Sequence, residues 1–156
     1  LARFLLPVVV VLGWAGAVLA QDATGRLDWD HSPRNTLPWG ALAKVGIRQE
    51  DGRIVPTFLP PVLALDGRKV TLYGFMAPAG KEARSRQFLL SPEPLTCGSC
   101  EPVGPEGIVE VSLGTPVALS SQPVAVQGVL HVLKADPKNV LYRLTGARIL
   151  PTPPPR

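Results

Sequence analysis

No lysine or arginine occurs between Gln87 and Leu133, while the same stretch holds Glu93, Glu101, Glu106 and Glu110. A phosphate-binding surface needs clustered cations, so the middle of the chain is a poor nucleic-acid contact. Histidine occurs only as His31 and His131, and cysteine only as Cys97 and Cys100. A structural zinc site takes four ligands, of which two cysteines supply half. Also missing are a G-x-S-x-G turn, an H-E-x-x-H pair, a Gly-rich phosphate loop and a calcium-binding loop. Asp28-x-Asp30-His31 lies in a polar stretch with no apolar frame and reads as a solvated arm. General acid–base work needs groups held within hydrogen-bond reach, and no set of residues promises that. The expectation is a non-enzymatic protein.

Residues 1–20 are apolar from Phe4 to Val11 and beyond Gly13, with Arg3 ahead and Val18-Leu19-Ala20 before a polar Gln21. The run is short for a membrane span. Its positive start and small residues at the boundary are those of a secretory signal peptide, cleaved after Ala20. The expected compartment is therefore periplasmic or extracellular, with no stable membrane span after cleavage and no nucleic acid as partner. The remaining residues suffice for one compact domain. Disorder throughout is excluded by 46% hydrophobic and 18% charged residues.

Net charge is +4. Residues 21–86 carry ten basic and seven acidic groups, and residues 134–156 carry five and one. With the acidic centre between them, the pattern is ordinary surface charge or a local site that prefers a cation.

The organisation expected is a polar arm and linker over 21–54, a β domain over 55–150 and a Pro-rich tail over 151–156. Trp29 and Trp39 are candidate anchors in the arm. One or two helical turns fit Leu37 to Val45, with Pro38 in the first turn and Gly46 ending it. Residues 47–61 read as a connector. Strands are expected at Val62–Leu65, Lys69–Met76, Arg86–Leu90, Ile108–Leu113, Val124–Leu133 and Val140–Leu150. In the fifth, Val124, Val126, Leu130 and Val132 share one face, and Gln127, Val129 and His131 the other. Ala77–Ala83 and residues 91–107 read as loops. The Pro-rich tail lacks the donors to join a sheet. Gly74, Gly128 and Gly146 fall inside strands, where glycine lets a small sheet coil and close. The fold class is all-β, a small OB-like barrel of five to six strands, with a small open sandwich as alternative.

Cys97-Gly98-Ser99-Cys100 is the pointed motif. It fits a structural or redox-active disulfide, half of a metal site for zinc or copper, or a reduced, inert pair. Prolines and glycines follow it where a thioredoxin-like site would start a helix. Glu93, Glu101 and Glu106 disfavour a thiolate and favour a bound cation. Glu101, His31 and His131 are the further ligands available. OB barrels stack ligands on exposed aromatics. Tyr73, Phe75 and Tyr142, with Arg86, are the binding-face candidates; the alternative for the aromatics is a place in the core.

Leu65-Asp66-Gly67-Arg68-Lys69-Val70-Thr71-Leu72-Tyr73-Gly74-Phe75-Met76-Ala77-Pro78 resembles the L-x-G-k-x-V-x-i-x-G-F-M-x-P signature of a family of small exported bacterial proteins of unknown function. Phe88-Leu89-Leu90, Cys97, Val126-Gln127-Gly128-Val129-Leu130 and Tyr142-Arg143-Leu144 agree with it, so the match spans roughly residues 55–150. The resemblance implies a periplasmic OB-like domain, with some members linked to metal handling and export systems, and no catalytic residue to carry over. The chain departs at Gly98-Ser99-Cys100-Glu101-Pro102, where many relatives have prolines. The resulting expectation is an exported binding or accessory domain with a periplasmic protein partner. The alternatives are a metal-binding or thiol-redox protein using Cys97 and Cys100, and a glycan-binding module.

Overall fold

The computed structural model describes residues 33, 35–96 and 102–151. Two short helices come early: α1, Trp39–Leu42, and α2, Pro60–Leu63. Among the described residues the strands are β1 (Val45–Glu50), β2 (Arg53–Phe58), β3 (Lys69–Pro78), β4 (Arg84–Ser91), β5 (Val109–Ala118), β6 (Val124–Val132) and β7 (Tyr142–Leu150). A 3-10 turn, Pro105–Gly107, precedes β5.

Alternating apolar residues on β3 to β7 bury one face, and the sheet closes on itself to hide it. The barrel order is β3-β4-β5-β7-β6, with β6 returning to β3. All pairings are antiparallel except β5 with β7. This is an all-β, OB-like barrel, as the strand spacing predicts. Leu72, Phe88, Leu90, Val111, Val126, Leu130 and Leu144 fill it. The strand phase on β6 holds: Val126 and Leu130 are fully buried, and Gln127 and His131 are half-buried. Register shifts beside Gly128 and between Val111 and Leu113 bend the sheet towards closure.

The segment ahead of the barrel plugs it. Trp39, Leu42 and Val62 belong to the barrel's own core. Trp39 donates its indole N–H to the Tyr73 carbonyl at 2.8 Å. Its ring lies over Gly74, where a Cβ would sit 3.1 Å from Trp39 Cζ2 and would run into the Ser91 carbonyl. Gly74 therefore permits a close approach within a continuous strand.

Four local expectations are corrected. Residues 47–61 are no connector: most of them form the β1–β2 hairpin, paired from Val45↔Phe58 to Glu50↔Arg53. Its two-residue turn, Asp51–Gly52, has φ of +49° and +75°, the left-handed pair that suits the twist of a hairpin. Gly46 consequently lies inside β1, and the helix stops at Ala43. Val62–Leu65 is not a strand, because Pro60 and Pro61 occupy the first turn of α2, where fixed φ favours helix. Ala77 and Pro78 continue β3, opposite Leu89 and Phe88.

Candidate functional site

β4 and β5 are the second and third strands of the barrel, and their ladder opens midway. Ser85 pairs with Val117 and Gln87 with Ser112, so Arg86 alone stands opposite residues 113–116. Leu113 stays with β7, opposite Ala147, while β4 lets go. Strand β5 is buried from Val109 to Val111 and exposed from Gly114 to Pro116. An open depression of about 540 Å³ results, lined by Glu82, Arg84, Ser85, Arg86, Gln87 and Pro116.

Local chemistry holds the opening in shape. Arg84 donates from Nη2 to the Pro116 carbonyl at 3.2 Å, spanning the gap. The Gln87 backbone N–H goes to Ser85 Oγ at 3.0 Å. Arg86 and Gln87 are exposed. The lining thus offers guanidinium and amide donors, one carboxylate and an apolar proline. It suits recognition of a polar or anionic group by several hydrogen bonds.

A second polar cluster lies on the outer face around β5 and β7. The Glu110 side chain is 7% exposed and accepts from Arg143 Nε at 2.6 Å and Lys138 Nζ at 3.2 Å. Arg143 Nη2 reaches Asp136 Oδ2 at 3.1 Å. Burial alone would raise the Glu110 carboxyl, but hydrogen bonds and charge from Arg143 and Lys138 outweigh it and hold the group below its ordinary range. Asp136 is lowered too, burial again being outweighed by the Lys138 backbone N–H and by Arg143. Every member has a partner, so the cluster is a fastening. No buried side-chain polar atom among the described residues lacks a partner.

The candidates singled out by sequence do not meet in one place. Cys97, Cys100, Glu101 and His31 lie outside the described residues. His131 sits on β6, its Nε2 2.8 Å from Thr145 Oγ1 and its strand position opposite Arg143. Among the described residues no three His, Cys, Asp or Glu side chains are grouped to hold a metal. Tyr73 and Phe75 are half-buried on β3, and Phe75 pairs with Ser91, at the other end of β4 from Arg86. Tyr142 is no binding-face residue. It is fully buried, stacks obliquely on Phe58 at 5.8 Å and donates its hydroxyl to the Leu42 carbonyl. Burial, with Glu106 second, pushes that hydroxyl up to about 12. Only Arg86 of the four lines the depression. Sequence reasoning missed its neighbours because nothing in Arg84-Ser85-Arg86-Gln87 announces an opened ladder; the Gly114-Thr115-Pro116 run across from it was the available signal.

Fold and site together define a small closed β-barrel with an opened second-to-third strand ladder. Among solved structures it is similar to the crystal structure of a DUF3299 family protein from Pseudomonas aeruginosa PAO1, at a TM-score of 0.48 and 23% identity, over 64% of this chain and 70% of that one. No protein-family model matches the chain, and no curated protein does.

Proposed function

We propose that the chain is an exported, non-enzymatic binding domain that engages a periplasmic protein partner through the β4–β5 opening. The observation that carries this is the depression where Arg86 stands alone against residues 113–116. OB barrels bind ligands on the face of their second and third strands, an analogy of architecture, and bulges are over-represented beside sites. The signal-like residues 1–20 supply the compartment, and the resemblance to exported bacterial proteins of unknown function agrees with it. A photoreactive residue at position 87, in cells exporting the protein, gives one adduct of discrete size. The same residue at position 134, also exposed, does not. Equal labelling from both positions, or none from 87, counts against the proposal.

On the same reading Cys97 and Cys100 form a local disulfide. So small a ring constrains little of the unfolded chain, and replacing both by Ser costs less than the roughly 3 kcal/mol of a fifteen-residue loop. A thiol count on exported protein finds no free thiols. Two reactive thiols, or stoichiometric zinc or copper lost on the double replacement, would instead favour a metal or redox role.

A further inference from the structure

The barrel has no free edge, but the β1–β2 hairpin has two outer edges that pair with no other strand among the described residues. We propose that the outer edge of β1 pairs with β1 of a second copy of this chain, building a four-stranded antiparallel sheet across a two-fold axis at Ile47. This surface is separate from the β4–β5 opening, and the inference does not depend on that site.

The hairpin's hydrogen-bond phase shows which edge is open. The Ile54 N–H is donated to Asn139 Oδ1 at 2.9 Å, so it points away from β1. Pro56, two residues on, has no N–H to offer. The outer edge of β2 is therefore covered at one position and blunted at the next. Ladder bonds alternate, so Gln49, Ile47 and Val45, opposite Ile54, Pro56 and Phe58, point their backbone groups off the outer edge of β1. The Val45 N–H is taken by the Ala43 carbonyl; those of Ile47 and Gln49 have no partner among the described residues. From Gly46 to Glu50, β1 is exposed at every position, whereas β2 is half-buried at Ile54, Val55, Pro56 and Phe58. The barrel thus lies on the β2 side.

The sequence of this edge is complementary to itself. With Ile47 on the axis, Ile47 meets the second copy's Ile47, Val45 meets its Gln49, and Lys44 meets its Glu50, twice. Each outward-bonding residue then faces another, and opposite charges close both ends. Moving the register two residues one way sets Arg48 against Arg48. Moving it two residues the other way sets Arg48 against Lys44, twice, again like charges. Odd shifts set bonding positions against non-bonding ones. Ile47 is 38% exposed in the single chain and gains an apolar contact on pairing.

Two strand edges make a small interface, below the roughly 1,200 Å² of stable complexes, so pairing is weak and depends on concentration. The test is sedimentation velocity of the full chain over a concentration series. A monomer–dimer equilibrium is expected. Ile47→Pro abolishes it while keeping the hairpin, because the N–H it removes points outward, as at Pro56; continued protection of the Ile54 amide verifies the fold. Lys44→Glu and Glu50→Lys each raise the dimer dissociation constant roughly tenfold, and the double exchange restores it. A monomer at every concentration would overturn the inference. So would a dimer indifferent to Ile47→Pro and the single exchanges, or a double exchange that fails to rescue.

Discussion

Leu130 and His131 are neighbours on β6 with opposite fates. Leu130 is wholly enclosed, and its backbone N–H and C=O bind Arg68 and Gly67 where β3 begins. His131 leans outward and bonds Thr145. Leu130→Ala therefore costs about 2–5 kcal/mol, by lost transfer energy and a cavity that the closed sheet cannot collapse. His131→Ala costs well under half of that, because its ring is half-buried and loses one hydrogen bond. Urea unfolding of the two variants measures the difference, and equal losses would contradict the strand phase. Glu110 sets a second residue-scale expectation. Its carboxyl lies below its ordinary value of 4.5 when folded. A depressed acid contributes stability above its unfolded value and loses it as pH falls through the folded one. Between pH 7 and about 3, the parent chain thus loses more stability than Glu110→Gln does. Unfolding curves across that range check this; parallel losses would leave Glu110 without its assigned role.

Elements are joined here by single side chains. Asn139, in left-handed conformation at φ +57°, holds the β1–β2 hairpin with two bonds: Oδ1 to the Ile54 N–H, and Nδ2 to the Gly52 carbonyl at 3.3 Å. Its turn is fastened in sequence by Asp136, Arg143 and Glu110. Asn139→Ala frees the hairpin tip while the apolar packing of Val45, Ile54 and Phe58 remains. Amide exchange at Ile54 accelerates at least tenfold, and exchange at Leu130 does not change. Slowed or unaltered exchange at Ile54 would show that packing alone holds the hairpin. This element also marks where the sequence was legible. The barrel strands declared themselves by alternation, as on Val124 to Val132. The hairpin did not, although Asp51-Gly52 is a strong turn signal. A proline such as Pro56 inside a run counts against a strand, and only the structure shows its missing N–H lying on the outer edge. Val62 misled in the other direction: an apolar run of four is too short for periodicity to separate a strand from a helical turn. The candidate site was the least legible, because an opened ladder is a relation between two strands, and Arg86 alone carries no trace of it.

At the scale of the molecule, the polar groups divide into those that fasten the barrel and those that border the β4–β5 opening. Glu110, Arg143, Asp136, Asn139 and Tyr142 are engaged with one another or with backbone. Arg84, with its one bond to the Pro116 carbonyl, and Arg86 border an opening that none of the described residues fills. The central claim is that this opening binds and does not serve stability. Arg84→Ala with Arg86→Ala tests it in one preparation, by thermal unfolding and by photo-crosslinking from position 87. Exposed substitutions of this kind stay within about 0.5 kcal/mol each, so the melting temperature should move by no more than about 4 °C while the discrete adduct is lost. An adduct that survives both replacements, or a loss of stability as large as that of Leu130→Ala, would contradict the account.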